Sequence, residues 1–342
     1  MAKLNFGIAT GRGMSHAQLA EQAKVAEELG FTHMGLVDQP SLDRDVHVMI
    51  AGAASATGRL QVGHSVTDPY SFRPWYIANA AASLDEWSGG RVFIGIGAGG
   101  PFGKELKYAR PASDLRDAVI FIQQFLTGEE AEFQGVRMQS EWVRRDIPIY
   151  IACEGPRACR MAGGLGNRFY ACRSNPIFTK WKIEQMRIGA EKAGRDLSDL
   201  DIRITTIVYV CDRKEDSLRE GAAYAMNVHR FHQLLRIDKP EVHELRRQLV
   251  QSDPDLLDDI KRVHDVWTPD QHERIDMPAG HRVTQRVNDF VNITGTADEV
   301  CEYLEELAEM GVTTIECAMY GLVNPLEMMK RISEEVMPRF QG

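Results

Sequence analysis

The chain has 342 residues, 44% of them hydrophobic and 26% charged, with 40 basic against 49 acidic side chains and a formal net charge of −9. A chain of this length buries a large core and is long enough for eight strand–helix units in one body. An acidic balance without a long basic run excludes a nucleic-acid footprint or a basic membrane surface, and the longest apolar runs, such as 92–100, are too short to span a bilayer. The first residues, Met1-Ala-Lys-Leu-Asn-Phe-Gly, lack the apolar core of a secretion signal, so a cytoplasmic protein is expected. Six cysteines lie scattered through apolar stretches with no C-x-x-C pair. Reduced, buried thiols are the expectation, with no zinc site.

Along the chain, short β-rich runs alternate with helical patterns. Residues 4–10 read as a strand and 15–29 as a helix, with Ser15 as its cap, Gly30 as its stop, and Leu19, Ala23, Ala26 and Leu29 on one face. Residues 32–38 form the second strand and 44–57 the second helix. The third strand covers 60–67 and its helix about 73–87. The fourth strand, 91–97, is an apolar run of the kind buried on both faces. Residues 147–153, 168–172, 202–210 and 313–319 supply four more strands, followed by helix-like stretches at 156–163, 178–193, 214–228 and 325–336.

Eight strand–helix repeats predict a parallel sheet closed into a (β/α)8 TIM barrel, an α/β fold, within a single domain covering 1–342. The rival, an open doubly wound sheet, would open on a glycine-rich dinucleotide loop, and none follows the first strand. About a hundred residues separate the seventh and eighth strands, where one barrel unit needs a few dozen. The insertion of about 229–292, between strands 7 and 8, is therefore expected to cover the C-terminal mouth. It is either a lid on the site or a packing element.

A barrel of this kind places its site at the C-terminal ends of its strands. Two of these ends are rich in glycine, around Gly97-Ala98-Gly99-Gly100 and around Glu154-Gly155-Pro156. Glycine lets backbone approach a flat or phosphorylated ligand, and a helix N-terminus attracts phosphate. Proline at the first helical position leaves N–H groups aimed at the mouth. The histidines cluster in the insertion, where His229 and His232 share a helical face without carboxylates to complete a metal site, so a surface or inter-helix role is expected. No G-x-S-x-G elbow or G-x-x-x-x-G-K-[ST] loop is present, which argues against a serine hydrolase or a nucleoside triphosphatase.

Several segments carry a resemblance. They are Gly63-His-Ser-Val-Thr-Asp-Pro-Tyr70, Arg73-Pro74, and Ala78-Asn-Ala-Ala-Ala-Ser-Leu-Asp85-Glu-Trp-Ser-Gly-Gly-Arg91-Val-Phe-Ile-Gly-Ile-Gly-Ala-Gly99. Asp38-Gln39 with Arg44-Asp45-Val46, Ile149-Tyr-Ile-Ala-Cys-Glu-Gly-Pro156, and Ile293-Thr-Gly-Thr-Ala-Asp-Glu-Val300 with Ala308 and Gly311-Val312 belong to the same pattern. Outside the insertion, the chain resembles the luciferase-like (bacterial luciferase-type) flavin and deazaflavin oxidoreductases, in particular the methylenetetrahydromethanopterin reductase branch. The resemblance implies a (β/α)8 barrel with an insertion before its last strand, binding reduced FMN or coenzyme F420 at the mouth. It also implies a non-proline cis peptide at Ser65–Val66 behind the ring. Asp38 and Thr67 would lie beside the ring, with Gly97, Ala98 and Gly99 along its side chain. The N–H groups of Glu154 and Gly155, ahead of Pro156, would meet phosphate. A homodimer is the family expectation.

The chain departs from that pattern. Deazaflavin-dependent sugar-phosphate dehydrogenases of the family have His and Glu where this chain has Gln39 and Gly100, and the methanopterin reductases have Glu where it has Ala9. With these acids replaced, the catalytic candidates are Asp38 and Gln39. Monooxygenation asks less of protein acids, since the flavin peroxide attacks the substrate and the protein supplies a dry, orienting pocket. The sequence therefore leans towards a reduced-FMN monooxygenase of a small organic substrate, fed by a separate flavin reductase. An F420-dependent reductase or dehydrogenase and a non-catalytic flavin-binding homologue are the alternatives.

Overall fold

The computed structural model of the protein describes residues 3–11, 13–40, 43–99, 112–172, 175–197, 199–218, 222, 228–268 and 278–341. Its centre is a closed parallel barrel of eight strands. In chain order these are β1 (Asn5–Thr10), β2 (His33–Leu36), β3 (Gln61–His64), β4 (Val92–Ile96), β7 (Ile149–Ala152), β8 (Arg168–Cys172), β9 (Asp201–Thr206) and β12 (Thr314–Ala318). The barrel closes where β1 pairs with β12, with Gly7 opposite Glu316. Every strand expected from the sequence contributes to it, and most strand residues are buried.

The helices begin where the sequence offers caps. Ser15 and Gln18 form a capping box for α1 (His16–Glu28). The Asp45 carboxylate accepts from the His47 and Val48 N–H groups, so α2 (Val46–Ala56) starts two residues later than the apolar pattern suggests. Proline opens α3 (Pro74–Ser88), and Gly89, at φ 76°, ends it. α5 (Pro156–Leu165) and α6 (Pro176–Lys192) also open on proline.

Three features depart from the sequence reading. The helix α4 (Ala112–Thr127) and a hairpin of β5 (Ala131–Phe133) and β6 (Val136–Met138) stand between β4 and β7. The seventh strand is two strands: β9 ends at Thr206, and β10 (Val208–Val210) leaves the barrel to pair in parallel with β11 (Ile293–Gly295). The cause is a change of partner at Ile207, whose carbonyl accepts from Ile293 N while the Thr206 hydroxyl donates to Val291 O. Of the helix expected over 214–228, a 3₁₀ turn at Lys214–Asp216 is described; residues 219–221 and 223–227 lie outside the described residues.

The insertion carries α7 (Val228–Leu235), α8 (Pro240–Ser252), α9 (Leu256–His264) and α10 (Gln285–Val291), followed by α11 (Ala297–Glu309) before β12 and α12 (Pro325–Arg331) after it. Its apolar faces build a second core, in which Phe231, Leu245, Ile260 and Val287 are fully buried together with Phe178 of α6, Ile207 and Ala318. Because Ile207 and Ala318 stand at the C-terminal ends of β9 and β12, the insertion packs at the mouth side of the barrel. His229 stacks on Trp267 at 3.5 Å and His232 on His264 at 4.1 Å, so of the two roles expected for these histidines the structure shows the inter-helix one. The six cysteines are free, and all but the half-buried Cys172 are buried. No helix among the described residues is long and apolar enough to cross a membrane.

Candidate active site

The C-terminal ends of β2, β3, β4 and β7 bring together most of the residues singled out in the sequence. Asp38 follows β2 and is half-buried. It accepts a 2.6 Å hydrogen bond from the hydroxyl of the buried Thr67, which follows β3. Burial pushes the Asp38 carboxyl up to about 6 against the effect of that bond, and the nearby carboxylates of Asp68, Asp45 and Asp43 add to the rise. Gln39 is half-buried beside it, and its carbonyl accepts from Asp43 N in a tight turn.

Ser65 and Val66 join β3 to Thr67 through a cis peptide, where the resemblance placed one. The half-buried Val66 packs on Phe93, Tyr150 and Tyr170 with Ala152 beside it, so an apolar side chain forms the floor of the mouth. Thr67 bridges to β4 at Ile96, taking Gly95 O and giving its own carbonyl to Gly97 N. A Cβ on Gly97 would lie 3.2 Å from Ala152 Cβ and 3.3 Å from Val66 Cγ2, so glycine here also lets the ends of β4 and β7 close around Val66. Ala98 is exposed and Gly99 takes φ +81°, turning the chain out of the barrel.

At the end of β7, Gly155 caps α5 without a side-chain hydrogen bond and Pro156 opens the helix. The first helical bond runs from Cys159 N to Gly155 O, which leaves the N–H groups of Arg157 and Ala158 outside the ladder and directed at the mouth. Glu154 and Gly155 are half-buried, and a Cβ on Gly155 would approach only Leu234 of the insertion, at 3.9 Å. Asp38, Thr67, Val66 and Gly97 thus form one connected group, with the Glu154–Pro156 turn one strand further round. Gly100, weighed from the sequence, lies outside the described residues.

Beneath this floor lies a polar network absent from the sequence reading. Glu316 of β12 is fully buried in the barrel, where it accepts 2.7 Å hydrogen bonds from the hydroxyls of Ser65, Thr205 and Tyr170. His33 Nε2 stands 3.5 Å away. Burial favours the protonated acid, but the imidazole and the Ser65 and Thr205 hydroxyls outweigh it and hold the carboxyl below its ordinary range. Below Glu316, the guanidinium of Arg203 lies 3.7 Å from the centre of the Tyr150 ring and 4.6 Å from that of Phe93. It donates to the Tyr150 hydroxyl, which donates to Asp201. The sequence does carry a signal for this interior. Gly7, Gly35, Gly63 and Gly95 recur on β1 to β4, where a Cβ would collide with His33, Glu316, Phe93 and Tyr170 respectively.

The model of the family described as luciferase-like monooxygenase matches residues 4–314. The chain is 26% identical to a 5,10-methylenetetrahydromethanopterin reductase of Archaeoglobus fulgidus, over 99% of this chain and 100% of the relative. It is 29% identical to an F420-dependent hydroxymycolic acid dehydrogenase of Mycobacterium tuberculosis, over 75% of this chain and 72% of that one. Among solved structures, the coenzyme F420-dependent tetrahydromethanopterin reductase of Methanopyrus kandleri shares the fold with a TM-score of 0.79, at 24% identity over 99% of this chain and 100% of that chain.

Proposed function

Because the chain belongs to the luciferase-like monooxygenase family and is an oxidoreductase, we propose that its cofactor is coenzyme F420 and its substrate a small organic molecule. The observation that carries this reading is likeness over the whole of both chains to methylenetetrahydromethanopterin reductases, alongside relatives named for F420. The reading replaces the reduced-FMN monooxygenation favoured from the missing acids, and it needs no separate flavin reductase. A homodimer remains part of the proposal, to be checked by sedimentation velocity.

The residues present fit a flat, phosphorylated cofactor. Val66, backed by an aromatic layer, offers an apolar floor to a ring. The free N–H groups of Arg157 and Ala158, at the positive end of α5, suit a phosphate. When bound, F420 supplies a two-electron hydride carrier. The chain's part is to hold that ring on Val66 and exclude water with the insertion. Asp38 keeps or releases a proton at its carboxylate near neutral pH, and Thr67 fixes the direction of one oxygen. Gln39 stands beside Asp38 as an amide that orients without titrating.

Titration of the purified protein with F420 and with reduced FMN tests the reading. Saturable F420 binding at least tenfold tighter than that of FMN is expected, with deazaflavin reduction or oxidation on a suitable substrate. Tighter binding of reduced FMN, with substrate-dependent oxygen uptake, would return the protein to monooxygenation. F420 binding without turnover across a broad substrate panel would make it a binding homologue.

A further inference from the structure

At the end of the barrel opposite the mouth, a cleft of about 570 Å³ opens between the C-terminus of α4, the entry to β7 and the α5–β8 turn. Leu126, Ile147, Ile149 and Leu165 contribute apolar lining, and Arg144, Arg145, Arg168 and Arg195 line it as well. In a chain of net charge −9, this is an unusual concentration of positive charge.

These guanidinium groups are not equally engaged. Arg145 is paired with Glu86 at 3.1 Å and Asp85 at 3.8 Å. Arg144 donates to the Ser140 and Val143 carbonyls and has no ion pair among the described residues. The side chains of Arg168 and Arg195 have neither an ion pair nor a hydrogen bond among the described residues, although Arg168 is half-buried. Asp201 lies opposite Arg168 in strand register, but its carboxylate accepts from the Tyr150 and Thr313 hydroxyls instead. Among the cleft's lining residues Asp146 is the single carboxylate. Arg144, Arg168 and Arg195 set against Asp146 leave a surplus of two positive charges. A partly desolvated guanidinium without a counter-charge is costly, and its planar fork matches phosphate oxygens in pairs.

We propose that this cleft is a second ligand site, separate from the cofactor mouth, for a small molecule bearing a diphosphate or an equivalent pair of anionic groups. Arg168 and Arg195 grip the two groups and Arg144 adds long-range attraction. The cleft volume suits a ligand between free diphosphate and a nucleotide in size. The proposal does not depend on the identity of the cofactor, because the cleft is at the other end of the barrel and its test needs no turnover.

Isothermal titration calorimetry with inorganic pyrophosphate and with ADP tests it. Saturable binding of at least one probe is expected, weakening at higher salt. The affinity should fall at least tenfold in the Arg168→Gln/Arg195→Gln double variant and persist in part in Arg168→Lys/Arg195→Lys. Preference for ADP would identify an organic diphosphate that uses the apolar lining, and preference for pyrophosphate the free anion. Melting curves establish that the variants are folded, and Arg195→Gln alone, at an exposed position, serves if the double variant is not. Absence of saturable binding overturns the proposal, as does an affinity indifferent to the substitutions. Competition of the probe with F420 would likewise overturn it by moving the probe to the mouth.

Discussion

The two halves of the barrel interior are built on opposite plans. The half from β1 to β4 presents Gly7, Gly35, Gly63 and Gly95 to the inside, whereas the half from β7 to β12 presents Tyr150, Tyr170, Arg203 and Glu316. Bulk from one wall, together with His33 and Phe93, fills the space that the other wall leaves. The interior of such a barrel is a packed core, and here polar groups complete it: Glu316 accepts from three hydroxyls, and Arg203 lies against the Tyr150 and Phe93 rings. The contrast also separates two kinds of glycine. Those of β1 to β4 serve packing, while Gly155 at the mouth stands beside open space.

Substitutions can break that contrast, and the largest effect is expected at Glu316. Glu316→Ala removes the acceptor of three hydroxyl groups and leaves Arg203 buried without its nearby anion. A loss of about 3–5 kcal/mol is expected, measured by denaturant unfolding. A loss under about 1 kcal/mol would mean that the network is ornamental. Gly63→Ala comes next. Its Cβ would lie 2.1 Å from the Phe93 carbonyl oxygen, a backbone atom that cannot swing aside. About 3 kcal/mol and several degrees of Tm should be lost. Gly35→Ala sharpens the point, since its Cβ meets Glu316 Oε1 at 2.3 Å. It should cost less in a Glu316→Ala background than alone, and strict additivity would show that the two walls do not interlock.

At the mouth the expected effects are smaller and fall on activity. Asp38→Asn should lower turnover at least tenfold, about 1.4 kcal/mol in the transition state, while raising stability at neutral pH. The sign follows from the raised carboxyl. Folded Asp38 titrates near 6 and the unfolded group near 3.8, so the native state binds more protons between these values and wild-type stability falls as pH rises through that window. The gain from asparagine should be full above about pH 6 and absent below about pH 4. A gain that persists at low pH, or unchanged turnover, would remove Asp38 from the site. The smallest effect is expected at Gly155. Gly155→Ala should change stability by less than about 0.5 kcal/mol, because the added methyl meets nothing closer than 3.9 Å. Gly155→Leu should weaken a phosphorylated cofactor far more than its dephosphorylated form, and equal losses would put the phosphate elsewhere.

Most of the barrel was legible in the sequence, because its strands are short runs rich in apolar and β-branched residues and its helices carry their own caps, as Ser15 and Asp45 do. The helix α4 was missed although Leu115, Val119, Ile122 and Leu126 share a helical face and all are buried. The hairpin was missed because each strand has three residues, too few for alternation to show; its signal is Gln134-Gly135, both at positive φ, in the turn. At the mouth, Asp38, Val66 and Thr67 came from resemblance and are neighbours in the structure. Glu316 and Arg203 escaped notice because a charged residue within a strand reads as solvent-facing. Only closure of the barrel makes that face an interior.

The parallel pairing of Val208–Val210 with Ile293–Gly295 has a consequence for how this chain tolerates change. These short strands flank the segment 211–292 that contains the insertion and hold its ends side by side, so whatever lies between is a closed excursion from the barrel. The entropy of closing such a loop grows only with the logarithm of its length, and a doubling costs about 0.6 kcal/mol. With its ends clasped and its helices packed on a core of their own, the segment can be lengthened, shortened or exchanged while the barrel register stays fixed. The clasp makes the insertion a cassette, exchangeable without refolding the barrel.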